Sequence, residues 1–210
     1  WILSLSDRYI LEFFRGSKEV GIYSASYNIS DRSIMLLATL FMLASGPISI
    51  HIWEKEGEAK SKEFVNKITR FYLLVCIPAV VGLSVLAKPV INIMTGQEYF
   101  LGYKIIPLVA LGVLFLGLQQ RFHAGFLYHK KTGFITVAIA LSGLLNLGLN
   151  FLFIPKYGYM AAAITTLVSY SFLLFLMIIG SRRIFVWQFP FKSLIRSIFT
   201  STIMGIAVYF

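Results

Sequence analysis

Long stretches without a charged residue constrain this chain more than anything else in it. Uncharged runs occupy 33–53, 71–87, 105–120, 132–155 and 157–181, and a further run covers 197–210. A helix of about 20 apolar residues crosses a bilayer core about 30 Å thick. The shorter runs reach that length once the snorkelling ends Arg70, Lys104 and Arg121 are included. Only 13% of the residues are charged, against about 25% in soluble domains, so the chain belongs in a membrane. The expected fold is all-α, a polytopic transmembrane helical bundle of about seven spans forming a single domain over 1–210. Its helices are expected near 1–14, 22–53, 70–95, 103–126, 133–154, 158–181 and 194–210. The start at Trp1 and the end inside an apolar run suggest a piece of a longer chain.

The net charge of +10 points to topology rather than to nucleic acid, because the basic residues sit mostly in short loops between apolar runs. Loops of one side carry Arg15, Lys18, Lys88, Lys104 and Lys156. Loops of the other carry Lys55, Lys60, Lys62, Lys67, Arg70, Arg121, Lys130, Lys131, Arg182, Arg183, Lys192 and Arg196. The bias of 12 to 5 places the second set in the cytoplasm, since Lys and Arg set orientation while Glu contributes little. The stretch WEKEGEAKSKEFVNKITRF mixes charges at helical spacing and is expected to lie as an interfacial helix joining two spans. SRRIFVWQFPFKSLIR alternates aromatic and basic residues, another interface pattern. Lys88-Pro89 favours a break before VINIMTGQEYF.

Against this apolar background the tripeptide Ser-Asp-Arg occurs twice, at 6–8 and 30–32. The helices carrying the copies form an antiparallel hairpin turning near 15–20. At ~1.5 Å per residue, Asp7 lies roughly 12 Å below Arg15, and Asp31 roughly 15 Å below Gly21. The copies are therefore expected at one depth, with Asp7 or Arg8 facing Arg32 or Asp31. A charge at mid-membrane costs roughly 2.5–3.5 kcal/mol, so it faces a partner or water rather than lipid. An ionic clamp and a charged wall of a wet cavity both meet that requirement. Ser142, Asn146 and Asn150, at i, i+4 and i+8, share one helix face; packing and cavity lining both fit them. Thr165, Thr166 and Ser169 are read as helix–helix hydrogen bonds beside small residues. Arg121 and His123 sit near the cytoplasmic end in an ordinary topogenic position.

Several chemistries have no residues to carry them. There is no glycine-rich phosphate loop and no Ser/His/Asp set. His51, His123 and His129 are scattered, and Cys76 has no second cysteine to bridge to. Neither a cofactor nor a metal is expected, and the chain does not read as an enzyme.

The ordered motifs carry a resemblance. SDRYILEFFRGSKEVGIYSASYNIS, with Asp7, Arg8, Val20, Gly21, Ile22, Tyr23, Ser24 and Tyr27, resembles the start of the C-terminal half of polysaccharide-export flippases, the O-antigen type included. These belong to the multidrug/oligosaccharidyl-lipid/polysaccharide exporter superfamily. AKPVINIMTGQEYF, through Ala87, Pro89, Gly96 and Tyr99, resembles a second family segment. LNLGLNFLFIPKYGYMAAAITTLVS, through Asn146, Asn150, Ile154, Pro155, Tyr157, Gly158, Ala161 and Ala162, resembles a third. Met160 departs from a frequent glycine. The resemblance implies the second lobe of a two-lobe exporter fold of 12 or 14 helices. Such a protein moves undecaprenyl-diphosphate-linked oligosaccharide across the bacterial inner (plasma) membrane. It implies Arg8 and Arg32 as ligands of the diphosphate, Arg121 as an entry-side anchor, and Asn146 and Asn150 as partners of sugar hydroxyls. Asp7 and Asp31 would hold the arginines or exchange a coupling ion, proton or sodium. Membrane lipids and other polysaccharide-assembly proteins are the remaining expected partners. An organic-cation antiporter of the same superfamily is the alternative; the balance of two Asp against two Arg argues against it. A polyprenyl-using polymerase would need a catalytic set that is missing here.

Overall fold

The computed structural model describes residues 2–209, with side chains from Leu5 to Val208. Trp1 and Phe210, included in the expected first and last helices, lie outside the described residues. The elements are α1 (Ile2–Arg15), α2 (Ser17–Val85), α3 (Ala87–Met94), a 3-10 segment (Gln97–Lys104), α4 (Ile106–Tyr128), α5 (Gly133–Ser181) and α6 (Phe191–Tyr209). The fold is all-helical, with no strand among the described residues. Among them α2, α4, α5 and α6 are long and apolar enough to cross a membrane.

The two longest helices each reverse at one glycine. Gly158 has φ 58° and ψ −141°, a left-handed conformation open to glycine. Thr165 Oγ1 donates to Asn150 Oδ1 across that point. Fifteen residues of straight helix would separate the two by roughly 22 Å, so the arms lie side by side. Gly57, with φ 82°, does the same in α2. There the rings of Phe41 and Tyr72 meet edge-on at 5.9 Å between centroids. Counting both arms of α2 and α5, the described chain makes seven helical passes, of which α1 is a short one of 14 residues.

These one-residue reversals correct the sequence reading in two places. The stretch after Trp53 is not a separate interfacial helix; it continues both arms of α2 to the tip at Gly57. Residues 155–157 are helical rather than a loop. The break expected before VINIMTGQEYF falls earlier, at Leu86. Pro89 then sits in the first turn of α3, where a missing N–H has no intrahelical partner to lose.

α4 is the central helix, packed on α2 and α5. α1 lies on α5 and α2, and α6 lies against α2. The core runs through Leu11, Tyr23, Ile34, Tyr72, Val113, Phe126, Ile154 and Met177. The loops gather at two ends. At one, Glu19 Oε2 accepts from the Tyr159 amide at 3.0 Å, joining the α1–α2 turn to the Gly158 reversal. At the other, which carries most of the basic residues, Trp53 stacks on Tyr128 at 4.5 Å. Asn66 there donates to the Gln188 carbonyl in the linker before α6.

Candidate functional site

Asp7 is the focus of the interior. It is fully buried and holds together three helices. Tyr23 OH on α2 donates to Oδ2 at 2.7 Å, and Thr166 Oγ1 on α5 donates to the same oxygen at 2.5 Å. Asn150 Nδ2, on the other arm of α5, donates to Oδ1 at 2.6 Å. Asn150 Nδ2 also reaches Asn146 Oδ1 at 3.1 Å, and Ser6 Oγ approaches that oxygen at 3.4 Å. Both asparagines are fully buried. Thus Asn146 and Asn150 do share a face, and the face they build is closed around Asp7.

The expected cross-pairing of the two Ser-Asp-Arg copies does not occur. Among the described residues no ion pair includes Asp7, Arg8, Asp31 or Arg32; the three present are Arg15–Glu19, Lys60–Glu63 and Lys62–Glu58. The reason is the turn. It is one residue, Gly16, with φ 80°, so Asp7 comes level with Tyr23 rather than with Asp31. Asp31 lies eight positions further along α2, or roughly 12 Å.

Arg8 instead donates from Nη2 to Asn28 Oδ1 at 2.9 Å and stands over the Tyr27 ring at 5.7 Å. Its Nε is buried and has no partner among the described residues. Tyr27 OH in turn lies 3.2 Å from Tyr170 OH. Asp31 is half-buried and Arg32 is exposed on the outside of the bundle. Arg8, Asp31 and Arg32 therefore form a charged layer beside the neutral cage of Asp7.

Arg121 is elsewhere, in α4 near the basic end. It is no loop residue: it lies about 10 Å before the helix end at Tyr128 and is only 7% exposed. It lines a cleft of about 610 Å³ between α4 and the two arms of α2, along with Ser45, Trp53, Glu54, Gln119, Gln120 and His123.

Tyr23 and Thr166 were not legible as ligands of Asp7. Thr166 read as a packing hydroxyl, and Tyr23 stood only in the family motif. Thr165 and Thr166 do bond between arms and helices, as read, to Asn150 and Asp7, whereas Ser169 bonds back to the Thr165 carbonyl of its own helix.

The fold and site together are those of a folded-back membrane helical bundle with a buried acidic centre and a charged layer beside it. The model of the family "Lipid II flippase MurJ" matches residues 23–210, and the chain belongs to that family. The sequence resemblance had pointed to the polysaccharide-export branch. An uncharacterized membrane protein of Methanocaldococcus jannaschii is 27% identical over 176 residues, covering 80% of this chain and 33% of its own length. A Haloferax volcanii protein described as a probable low-salt glycan biosynthesis flippase is 24% identical over 173 residues, covering 81% of this chain and 36% of its own. The chain thus spans about a third of these curated relatives. A solved structure of the lipid II flippase MurJ in its inward closed conformation superposes with a TM-score of 0.77 at 20% identity, over 99% of this chain and 45% of that one. That likeness is one of fold.

Proposed function

We propose that this chain is the second lobe of a flippase that moves a polyprenyl-diphosphate-linked oligosaccharide from the cytoplasmic to the outer leaflet. The finer reading is an undecaprenyl-diphosphate-linked glycan destined for surface polysaccharide, at the bacterial plasma membrane. The family, the flippase relative and the ordered sequence motifs support it. The end bearing Gly57, Lys130 and Arg182 is cytoplasmic in this reading, by its excess of Lys and Arg.

One observation carries the mechanism: a fully buried carboxylate, Asp7, held among the described residues by neutral donors alone and set beside Arg8, whose Nε has no partner there. An ionised carboxylate out of water needs a compensating proton or cation. Hydroxyl and amide groups from α2 and from both arms of α5 converge on it, and oxygen donors suit a hard cation as well as a proton. Loading and release of a proton or sodium at Asp7 would tighten or loosen the grip of α1 on both arms of α5. Arg8 and Arg32 supply cationic forks for the diphosphate. This is transport, without covalent chemistry.

Arg→Lys substitutions in the longer protein test the cargo reading. Lysine keeps the charge and loses the fork. Arg8→Lys and Arg32→Lys are expected to express normally while lipid-linked precursor accumulates in the cytoplasmic leaflet. Full export by both Lys variants, with lowered expression of both Ala variants, would make the arginines structural.

A further inference from the structure

The guanidinium of Arg121 is satisfied on one side only. Nη1 donates to Ser45 Oγ at 3.2 Å, and the ring of Tyr72 lies 5.2 Å from Cζ. Nε and Nη2 are buried without a hydrogen-bond partner among the described residues. These two nitrogens form the side of the guanidinium whose N–H bonds run parallel, the edge that grips two oxygens of one anion. A buried cation left unmatched is costly, and native interiors pair such groups. The surroundings repeat the deficit. The side-chain oxygens of Gln119 and Gln120 and Nε2 of His123 are also buried without partners, and all three residues line the same 610 Å³ cleft. A half-turn of either amide presents NH2 instead of oxygen. Glu54 lines the cleft too, yet makes no ion pair with Arg121 among the described residues. Ser45 and Tyr72, from the two arms of α2, hold the guanidinium in place. The free edge is therefore aligned before any ligand arrives.

We propose that Arg121, with Gln119 and Gln120, forms an oxyanion site at the basic end of the bundle that takes a phosphate or diphosphate group side-on. The site is separate from the Arg8–Arg32 layer. Its assignment to cargo entry rests on the flippase reading, whereas its anion chemistry does not. Two sources offer the same chemistry: the diphosphate of a polyprenyl carrier and the phosphodiester of an ordinary anionic lipid.

The test is equilibrium binding to the purified longer protein in neutral detergent, with no gradient, so that failure of transport and failure of this site are separable. Radiolabelled farnesyl diphosphate is the main probe, competed by inorganic pyrophosphate or by phosphatidylglycerol. Arg121→Lys is expected to weaken binding about tenfold to a hundredfold, the loss of one charge-assisted hydrogen bond, while Arg182→Gln, on the exposed linker, leaves it unchanged. Competition by phosphatidylglycerol at equal strength would assign the site to membrane lipid; its failure to compete would assign it to the carrier diphosphate. Should Arg121→Lys not fold, Ala124→Cys in a Cys76→Ala background gives a second readout, since Ala124 lines the cleft. Farnesyl diphosphate is expected to slow its alkylation. Unchanged affinity in Arg121→Lys, or no binding and no protection in the protein with Arg121 intact, overturns the proposal and leaves the fork to a carboxylate of another segment.

Discussion

Asn150 donates to Asp7 at 2.6 Å, joining two residues 143 positions apart. The bond ties the first helix of the described chain to the first arm of α5, and it does so through a carboxylate that forms no ion pair among the described residues. A hydrogen bond to a charged group contributes about 1.5–3 kcal/mol, and a buried group stripped of its partner loses more.

Thr166→Val and Tyr23→Phe each remove one donor from Asp7 Oδ2 and leave the volume nearly unchanged. Each is expected to lower stability by about 1.5–3 kcal/mol. Combined with Asp7→Asn, either change should cost much less than it does alone, because the shared acceptor has already changed. Thermal unfolding in detergent, analysed as a double-mutant cycle, measures the coupling; simple additivity would separate the two hydroxyls from Asp7.

The two reversals predict unequal tolerance. A Cβ at Gly158 would lie 2.0 Å from Glu19 Oε2, while nothing lies within 4 Å of one at Gly57. Both positions have positive φ. Gly57→Ala is expected to cost about 1–2 kcal/mol from backbone strain alone. Gly158→Ala must also displace Glu19 from the Tyr159 amide, so it should reduce folded yield far more. Equal yields would mean that Glu19 moves aside freely.

Orientation follows from the basic end. In a Cys76→Ala background, Gln97→Cys is expected to react with an impermeant maleimide in intact cells, and Arg182→Cys only after the membrane is permeabilised. The reverse pattern would invert the bundle and put the Arg121 cleft outside.

How much of this was legible in the sequence depends on what sets each feature. The spans were, because apolar run length alone decides membrane residence. The grouping of loops at two ends follows from their alternation. The turns were less so. Residues 155–157 read as a loop, yet the helix runs through Lys156 and reverses at Gly158 alone. The one-residue turn at Gly16 shifts the hairpin register, and that shift moves Asp7 from the reach of Arg32 to that of Tyr23. Pairing by depth counts residues from an assumed loop, so an error of a few residues there changes every partner below it. Arg121 read as a loop charge because it ends an uncharged run. Only the packing of α4 between α2 and α5 reveals it as buried. Asn146 and Asn150 were legible as one face, since i, i+4 spacing is local; Thr166 was not, since its role comes from the fold-back.

The most direct measurement is translocation itself. Proteoliposomes of the longer protein would be loaded with a fluorescent polyprenyl-diphosphate-linked sugar, and its exposure at the outer surface followed by access of a glycan-oxidising reagent. The account predicts cargo movement that requires a proton or sodium gradient. It predicts loss of movement in Asp7→Asn and in Arg8→Lys when both remain folded. Movement at the original rate in both folded variants, or no dependence on either ion, would contradict it.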